Sequence, residues 1–438
     1  MHGELLIHHA QAGFFYVVGR FASPLFPPRG GVDVPGGRVS SYFSESSPAE
    51  QTLLEAWVPL AASFLGICTA FSMSAMIGPM LVPLGSEFGM SVPALGQLAT
   101  LAFLPWGVSA SLIGPISDRY GRKRILLIGL AGLSISGAAA AAAPDYLTLA
   151  ACRVLTGACG GFVPPSCLAA LTDQFTGRRR GHAVAIGSTG YSTSWLVALP
   201  LVALLTGLYG WRSTFLLAAI FAAGTFLLMI AVFPPGKKRE SPKSYLSSFA
   251  WMRSAGPWYG IGANMLERLM IAVFITYVSA FMIRRYGVSM AVLAWILTAI
   301  TAGNLFGSLA GGFLMGRSWR YAGLVAVLLI EGAALAWKFA AEPALPAAMA
   351  AGFLFSFLTG MSRSTLVDTL SNFAPQDRGT IIGVFATSNQ VGFVLGASLG
   401  GLAIAWGGYG ALGAICLAAG AGGEAFYLRL CSRVSAIR

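Results

Sequence analysis

Long apolar runs, separated by short polar or charged segments, fill most of the 438-residue chain. A helix that crosses the hydrocarbon core of a bilayer needs about 20 predominantly apolar residues. After residue 53 the chain divides into twelve runs of that kind. The pattern predicts twelve transmembrane spans, at residues 54–83, 93–115, 124–143, 147–171, 181–208, 212–233, 258–283, 288–315, 321–340, 345–370, 379–406 and 409–430.

The segment before the first span has a different character. Residues 1–52 contain one short apolar patch, at residues 13–18, followed by stretches rich in Pro, Gly and Ser. Such a composition cannot bury enough apolar surface to offset the entropy cost of folding. We expect a disordered cytoplasmic tail over residues 1–52 and a short cytoplasmic tail over residues 431–438.

The longest inner connection divides the spans into two sets of six. Residues 234–257 contain the sequence Pro-Pro-Gly-Lys-Lys-Arg and are expected to form a cytoplasmic linker. The spans before it form an N-terminal lobe, residues 53–233, and those after it form a C-terminal lobe, residues 258–430. The sequence therefore predicts an all-α polytopic membrane protein made of two six-helix lobes.

A repeat at an offset of 198 residues relates the two lobes. Arg180-Gly181 matches Arg378-Gly379, and Tyr209-Gly210 falls on Gly407-Gly408. A polar run in the fifth span also falls near a polar run in the eleventh. The lobes are thus predicted to be pseudo-symmetric, a design typical of transporters whose substrate site lies between the halves.

Composition and charge narrow the possible classes of protein further. With 56% hydrophobic and 10% charged residues, the chain cannot be a soluble globular protein. The net charge of +12 does not indicate nucleic acid binding, because Lys and Arg occur in bursts between apolar runs. With both termini inside, the inner loops hold fifteen Lys and Arg and the outer loops hold four, Arg212, Arg284, Arg285 and Lys338. The positive-inside rule then predicts a multi-pass inner-membrane protein with cytoplasmic termini.

The sequence offers no cofactor chemistry. Five of the six cysteines lie inside apolar runs, as packing residues do, and three of the four histidines lie in the N-terminal tail. We predict no metal and no cofactor, and the phosphate-binding pattern of a nucleotide-driven pump is missing. The expected partners are a small-molecule substrate, protons and the lipid bilayer. We expect a monomer that binds no nucleic acid.

Three stretches resemble motifs of the major facilitator superfamily. Arg153 with Gly157 in the fourth span resembles one of them. In the fifth span, Ala198-Leu199-Pro200-Leu201 is similar to the drug and sugar efflux branch of proton antiporters. The loop between the second and third spans resembles the signature motif of the superfamily, at Gly114, Asp118, Arg119, Gly121, Arg122, Lys123 and Arg124.

The resemblance implies the fold and the activity. It implies twelve helices in two lobes and a secondary active transporter, not an enzyme. The efflux branch implies export of a small organic molecule in exchange for protons by alternating access. Proton-coupled uptake of a sugar or an organic anion stays open, as does a membrane sensor or scaffold that transports nothing.

The acid of the signature loop is a candidate gate residue. Asp118 could accept hydrogen bonds from a helix N-terminus or pair with a cytoplasmic arginine. The resemblance implies a latch that holds the inner ends of the lobes together in the outward-open state. The alternative is a solvated loop acid beside cations that only fix the topology.

Ionisable residues inside the spans are the strongest functional signal, because an unpaired charge there is costly. The seventh span carries Glu267 beside Arg268, and the tenth carries Arg363. We predict that Glu267 carries the proton and that the two arginines assist. The resemblance assigns Arg153 to coupling or substrate binding, and it favours a structural role for Glu331. A permanent ion pair that braces the lobe is the alternative for Glu267.

The substrate cavity is expected to be lined by polar, aromatic and methionine side chains, which adapt to varied organic ligands. Any bundle interior also contains such residues. The candidates are Thr69, Met76, Tyr191, Trp195, Asn264, Tyr277, Asn304, Asn389 and Gln390.

Overall fold

A computed structural model describes residues 48–175, 177–233, 255–314, 326–373 and 378–435. The N-terminal tail up to residue 47 and the predicted linker up to residue 254 lie outside these ranges. The regular elements of the described residues are helical. The boundaries of the two predicted tails and of the linker stay predictions.

The six spans of the N-terminal lobe are made of eight α-helices within residues 48–175 and 177–233, because two of the spans are interrupted. A π-helical turn, Ser194–Ala198, joins the seventh and eighth of them without a break in the chain. The helices are α1 (Pro48–Ala75), α2 (Ile77–Phe88), α3 (Val92–Tyr120), α4 (Arg122–Ala141), α5 (Tyr146–Gly160), α6 (Val163–Gln174), α7 (Gly177–Thr193) and α8 (Leu199–Val232).

The described part of the C-terminal lobe forms five α-helices, of which the last is long enough to hold two spans. They are α9 (Ala255–Tyr286), α10 (Met290–Leu314), α11 (Val327–Ala340), α12 (Leu345–Phe373) and α13 (Arg378–Ser435).

These helices correspond to the twelve predicted spans. Nine stretches of the described chain are long and apolar enough to cross a membrane. Two of them, residues 179–232 and 387–432, each hold two spans joined by a kink at glycine. The remaining span is α11, whose 14 described residues fall short of a full crossing. The prediction of twelve helices in two six-helix lobes is confirmed.

Sharp turns recur at the same offset in both lobes. Gly89 and Gly287 follow the first and seventh spans, and Gly210 and Gly408 follow the fifth and eleventh; all four have positive φ. Each pair is 198 residues apart, as in the sequence repeat. Glycine adopts positive φ without the steric cost that other residues meet. The same backbone turns therefore end equivalent spans in each lobe.

Two spans of the N-terminal lobe are interrupted. The first span breaks at Met76, between α1 and α2, and the fourth breaks at Gly161 and Phe162, between α5 and α6. Prolines follow both breaks, at Pro79 and Pro164. Proline lacks the N–H that the preceding turn needs, so it favours a break at that point.

The lobes contact each other in the half of the molecule predicted to face outward. A Cβ atom at Gly78 of α2 would overlap the carbonyl oxygen of Ile275 on α9, so only glycine permits this approach. Further along, the hydroxyls of Thr100 and Ser398 are 3.0 Å apart and hydrogen-bonded. The lobes are thus in direct contact in this half, and the hydroxyls of Ser111 and Thr387, 3.3 Å apart, join them again nearer the predicted inner side.

One cation that the charge count assigns to the outer loops lies inside a helix instead. Lys338 was counted with the outer loops, but the structure buries it completely in α11. Its Nζ atom lies 5.1 Å from the centre of the Phe274 ring on α9, which offers a cation–π contact. The count of outer cations falls to three, which strengthens the charge asymmetry behind the predicted topology.

Candidate functional site

A central cavity of about 100 Å³ lies between the two lobes. The N-terminal lobe contributes side chains from α1, α3, α6 and α7, and the C-terminal lobe contributes side chains from α9, α10, α12 and α13. The lining residues are Phe71, Trp106, Ala110, Pro164, Pro165, Tyr191, Ser192, Trp195, Arg268, Asn304, Thr359, Arg363, Asn389, Gln390 and Phe393.

Ten of these residues form five pairs that are related by the 198-residue repeat. Equivalent positions of the two lobes therefore face each other across the cavity with different chemistry. The N-terminal member is aromatic or proline in four pairs, whereas the C-terminal member is polar or cationic in four. The pairs are Trp106 with Asn304, Pro165 with Arg363, Tyr191 with Asn389, Ser192 with Gln390, and Trp195 with Phe393.

The N-terminal wall is an aromatic cluster. The ring of Phe71 lies 5.1 Å from that of Trp106 and 4.3 Å from that of Tyr191, both in edge-on geometry. Trp195, at the start of the π-helical turn, completes this wall. Rings held in this way offer a planar ligand both a face and an edge.

The C-terminal wall carries two guanidinium groups. Arg363 of α12 lies 4.8 Å from the centre of the Tyr191 ring, across the boundary between the lobes. Among the described residues it makes no ion pair. Arg268 of α9 donates from Nη2 to Glu267 Oε2 at 3.2 Å and from Nε to Asn264 Oδ1 at 3.3 Å. Two cations against one carboxylate leave this wall positive.

Glu267 lies directly behind the wall. It is fully buried and does not line the cavity, but Arg268 connects it to the cavity. Its second oxygen, Oε1, accepts a 2.7 Å hydrogen bond from the hydroxyl of Ser362 on α12. The expected pairing with Arg268 is thus present, while the role of Glu267 in proton coupling stays a prediction.

Asn264 supports the polar wall from behind. It is completely buried, and its amide donates to Ser388 Oγ at 2.8 Å and to Asn389 Oδ1 at 2.9 Å. Among the other predicted cavity residues, the structure brings together Tyr191, Trp195, Asn304, Asn389 and Gln390.

Three predicted cavity residues lie elsewhere. Thr69 and Met76 line a separate apolar cavity of about 480 Å³ between α1, α8 and the π-helical turn. Tyr277 is buried at the outer contact between the lobes, where its hydroxyl donates to the Ala397 carbonyl at 2.6 Å. A polar side chain inside a span can face any neighbouring helix, so its residue type alone does not place it in the cavity.

Arg153 is also outside the cavity. It is fully buried in the N-terminal lobe, and its Nη1 and Nη2 atoms donate to the carbonyls of Met73 and Ser74, both at 2.7 Å. These carbonyls belong to the last turn of α1, just before the break at Met76. A cation is favourable at a helix C-terminus, so Arg153 stabilises the interrupted first span.

The signature loop is described in part. Gly121, with a φ of 92°, separates α3 from α4. Arg122 pairs with Asp173 at the end of α6, and Lys123 donates to the Ile230 carbonyl of α8 at 2.8 Å. Arg124 is exposed. These contacts stay within the N-terminal lobe. Gly114 and the side chains of Asp118 and Arg119 lie outside the described set, so the latch stays a prediction.

Eight lining residues were missed by the sequence analysis. The repeat could have found several of them, because Trp106, Ser192 and Phe393 are the equivalents of the predicted Asn304, Gln390 and Trp195. The eight are Phe71, Trp106, Ala110, Pro164, Pro165, Ser192, Thr359 and Phe393.

Two pseudo-symmetric six-helix lobes around a central cavity define a secondary transporter. The family model of the Major Facilitator Superfamily matches residues 63–256 and 260–433, and the chain belongs to that superfamily.

Curated relatives cover different shares of the chain. The uncharacterized MFS-type transporter YceJ of Bacillus subtilis is 24% identical over 74% of this chain and 84% of its own. The gentisate transporter of Corynebacterium glutamicum is 25% identical over 75% of this chain and 77% of its own. The gallate transporter of Pseudomonas putida is 28% identical over 44% of each chain.

Two solved structures share the fold. One is a bacterial homologue of the human lysosomal transporter Spinster, inward-facing and occupied, with a TM-score of 0.70 at 18% identity, covering 89% of this chain and 98% of that one. The other is a D-xylose-proton symporter, with a TM-score of 0.70 at 17% identity, covering 84% and 97%.

Proposed function

We propose that the protein is a proton-coupled transporter that takes up a small aromatic carboxylate. The observation that carries this proposal is the chemical difference between the two walls of the cavity. A ligand with a planar ring and a negative group satisfies both walls at once. In this proposal the protein is a monomer of the inner membrane with cytoplasmic termini.

The positive wall favours an anion over a neutral sugar. Arg268 and Arg363 each present a planar fork of donors that fits a carboxylate in a two-bond geometry. The ring of the ligand would then lie against Phe71, Trp106 and Tyr191, where stacked or edge-on contacts are favourable. A sugar would leave at least one buried guanidinium without an anionic partner, which is costly.

The pair Glu267–Arg268 supplies a route for the proton. When a substrate carboxylate binds Arg268, Glu267 loses part of its counter-charge, and a buried carboxylate without a partner favours proton uptake. The proton also removes an electrical cost. Carrying one negative charge inward against 100 mV requires about 2.3 kcal/mol, and an accompanying proton cancels that charge.

The relatives support the same class of substrate. Gallate and gentisate, after which two of them are named, are both hydroxylated aromatic carboxylates. The D-xylose-proton symporter shows that the same fold can couple transport to protons. The cavity, the names of the relatives and the buried ion pair therefore support the proposal of a proton-coupled organic anion transporter.

Uptake by proteoliposomes tests the proposal. Purified protein would be reconstituted, and labelled gallate, gentisate, benzoate and xylose would be offered with and without an inward proton gradient. We expect at least tenfold accumulation of an aromatic acid only with the gradient, and no uptake of xylose. Gradient-driven uptake of xylose alone, or no gradient-dependent flux of any of the four, would contradict the proposal.

Efflux in exchange for protons is the second candidate. The observation in its favour is the fifth span, where Pro200 comes two residues after the end of the π-helical turn Ser194–Ala198, in the stretch similar to the efflux branch. Vesicles preloaded with the aromatic acid decide between the two. An outward flux that rises with an inward proton gradient would favour efflux, whereas symport predicts that this gradient slows the loss of substrate.

A further inference from the structure

Two carboxyl groups of the C-terminal lobe are buried without a hydrogen-bond partner. Glu331 on α11 and Glu424 on α13 are 0% and 6% exposed, and the four carboxylate oxygens make no hydrogen bond within the described residues. An ionised carboxylate in such a place is costly, and binding a proton removes most of the cost. The ligand indicated by these two groups is therefore a proton.

The groups that face Glu331 come from three helices. Glu267 and Arg268 lie near it on α9, Glu424 on α13, and Thr359 on α12. The Thr359 hydroxyl donates to the Phe355 carbonyl of its own helix at 2.8 Å. Thr359 also lines the central cavity. Arg363 of α12 lies near Glu267 and Arg268 as a second guanidinium. Three carboxyl groups thus lie near two guanidinium groups, and the cluster reaches from the periphery of the lobe to the cavity wall.

Within the part of the chain that the structure describes, the other titratable groups near this cluster do not neutralise it. Lys338 lies two turns further along α11 and packs over the ring of Phe274. Tyr427 and Cys431 are near Glu424 on α13, and neither side chain is a cation at neutral pH. Arg268 is already paired with Glu267.

Close helix packing surrounds the two unpartnered acids. Residues next to them, Gly332 of α11 and Gly420 of α13, form the contact between the two helices. A Cβ atom at Gly332 would lie 2.6 Å from the Cys416 carbonyl oxygen, and one at Gly420 would lie 2.6 Å from the Leu328 carbonyl oxygen. Backbones this close limit the access of water to the carboxyl groups.

The repeat indicates that the fold does not require acids here. The equivalents of Glu331 and Glu424 in the N-terminal lobe are Leu133 and Phe226, at the same 198-residue offset. Leu133 is fully buried in the apolar core of its lobe. An apolar residue thus serves the packing at this position, and the acids need another explanation.

We propose that Glu331 and Glu424 form a second protonation site, which holds a proton in the C-terminal lobe and exchanges it with Glu267 during transport. In the exchange, the O–H bond of the Glu331 carboxyl breaks, an O–H bond forms on the Glu267 carboxylate, and one negative charge moves to the pair of Glu331 and Glu424. Arg268 is then free to hold the substrate carboxylate. The exchange rests on the proposed proton coupling at Glu267, whereas the protonation of the pair does not.

Infrared spectroscopy of the purified, reconstituted protein tests the protonation without any substrate. A pH titration would follow the carbonyl band of protonated carboxyl groups. We expect the wild type to keep such a band at neutral pH and the Glu331→Gln variant to lose it. An equal band in the wild type, in Glu331→Gln and in Glu424→Gln would overturn the site.

Transport tests the exchange with Glu267. Glutamine mimics the protonated acid, so Glu331→Gln should fold and bind gentisate as the wild type does. We expect its gradient-driven uptake to fall at least tenfold, with a changed pH profile. An unchanged rate and pH profile would overturn the exchange. Glu331→Leu, which copies the N-terminal lobe, is the second variant if the glutamine form does not fold.

The control is Glu342→Gln, because Glu342 is a solvent-accessible acid of the same lobe that pairs with Arg285 on the surface. It should change neither the infrared band nor the uptake. If the wild type shows no proton-driven uptake at all, the proposed function fails together with the exchange. The infrared result would still decide whether the pair holds a proton.

Discussion

The two lobes share a backbone plan but differ in the charge that they bury. At five equivalent positions among the described residues, the N-terminal lobe has an uncharged residue where the C-terminal lobe buries an ionisable one. These pairs are Thr69 with Glu267, Ala70 with Arg268, Leu133 with Glu331, Ala140 with Lys338, and Phe226 with Glu424. The reverse case is Arg153, whose equivalent is the buried Ala351.

The two lobes also differ in the hydrogen-bond and ion-pair partners of their buried charged residues. Arg153 donates to two carbonyls at 2.7 Å and to the Leu98 carbonyl at 3.4 Å, so its guanidinium is held by backbone. Among the buried acids described in the C-terminal lobe, Glu267 is held by Arg268 and Ser362, whereas Glu331 and Glu424 make no hydrogen bond to a described residue. We infer that the N-terminal lobe uses its buried charge for architecture, and that the C-terminal lobe keeps its charges available for protons and substrate.

Removing Arg153 should have the largest effect on stability. Arg153→Met leaves the Met73 and Ser74 carbonyls buried without donors at the break of the first span. Hydrogen bonds to a charged group contribute about 1.5–3 kcal/mol each, so we expect a loss of about 3 kcal/mol or more. Thermal unfolding in detergent would show a much lower midpoint than for Arg124→Met, in which an exposed arginine is removed. Equal midpoints would contradict the architectural role.

Removing the charge of Glu267 should stop coupling and leave the fold intact. Glu267→Gln keeps the acceptor for Ser362 but cannot release a proton. We expect gradient-driven accumulation of the aromatic acid to fall at least tenfold, while exchange of labelled for unlabelled acid continues. Full accumulation by this variant would remove Glu267 as the proton carrier. Ser192→Ala, on the opposite wall, is a control that should keep the coupling.

The transmembrane helices could be predicted from the sequence because each span is a local feature. Twenty apolar residues between charged loops report a crossing without reference to any neighbour. The turns at Gly210 and Gly408 could likewise be inferred from the repeat. The break at Met76 could not, because it is stabilised by Arg153 from another span. The burial of Lys338 was missed for the same reason, since the ring of Phe274 is distant in sequence.

Only part of the candidate site could be predicted from the sequence. Tyr191, Trp195 and Asn389 were predicted from residue type and do line the cavity. Thr69 has the same polar character but faces Thr225, because the orientation of a side chain depends on which helix packs beside it. The positive wall of the cavity is the clearest example of what residue type alone could not predict. Arg268 and Arg363 were singled out as charges within spans, but their convergence on one wall is a property of the tertiary structure.

A smaller effect is expected from substitution of Tyr191, where the aromatic wall contacts the positive wall. The ring of Tyr191 faces the guanidinium of Arg363 at 4.8 Å across the lobes. A desolvated cation–π contact contributes up to about 2 kcal/mol. Tyr191→Leu should therefore weaken binding of the aromatic acid by roughly tenfold, measured by titration calorimetry, while Tyr191→Phe should retain most of the affinity because it keeps the ring. Equal losses in both variants would assign the effect to the hydroxyl group.

The smallest effect is expected at Thr69, which is the equivalent of Glu267 in the N-terminal lobe. The hydroxyls of Thr69 and Thr225 are hydrogen-bonded at 3.1 Å between α1 and α8, in place of the ion pair of the other lobe. Thr69→Val and Thr225→Val should each cost about 1 kcal/mol of unfolding free energy. If this shared bond is the cause, the double variant should cost little more than either single one. Additive losses would show that the hydroxyls act separately, and a loss of proton coupling in Thr69→Val would contradict the division of roles between the lobes.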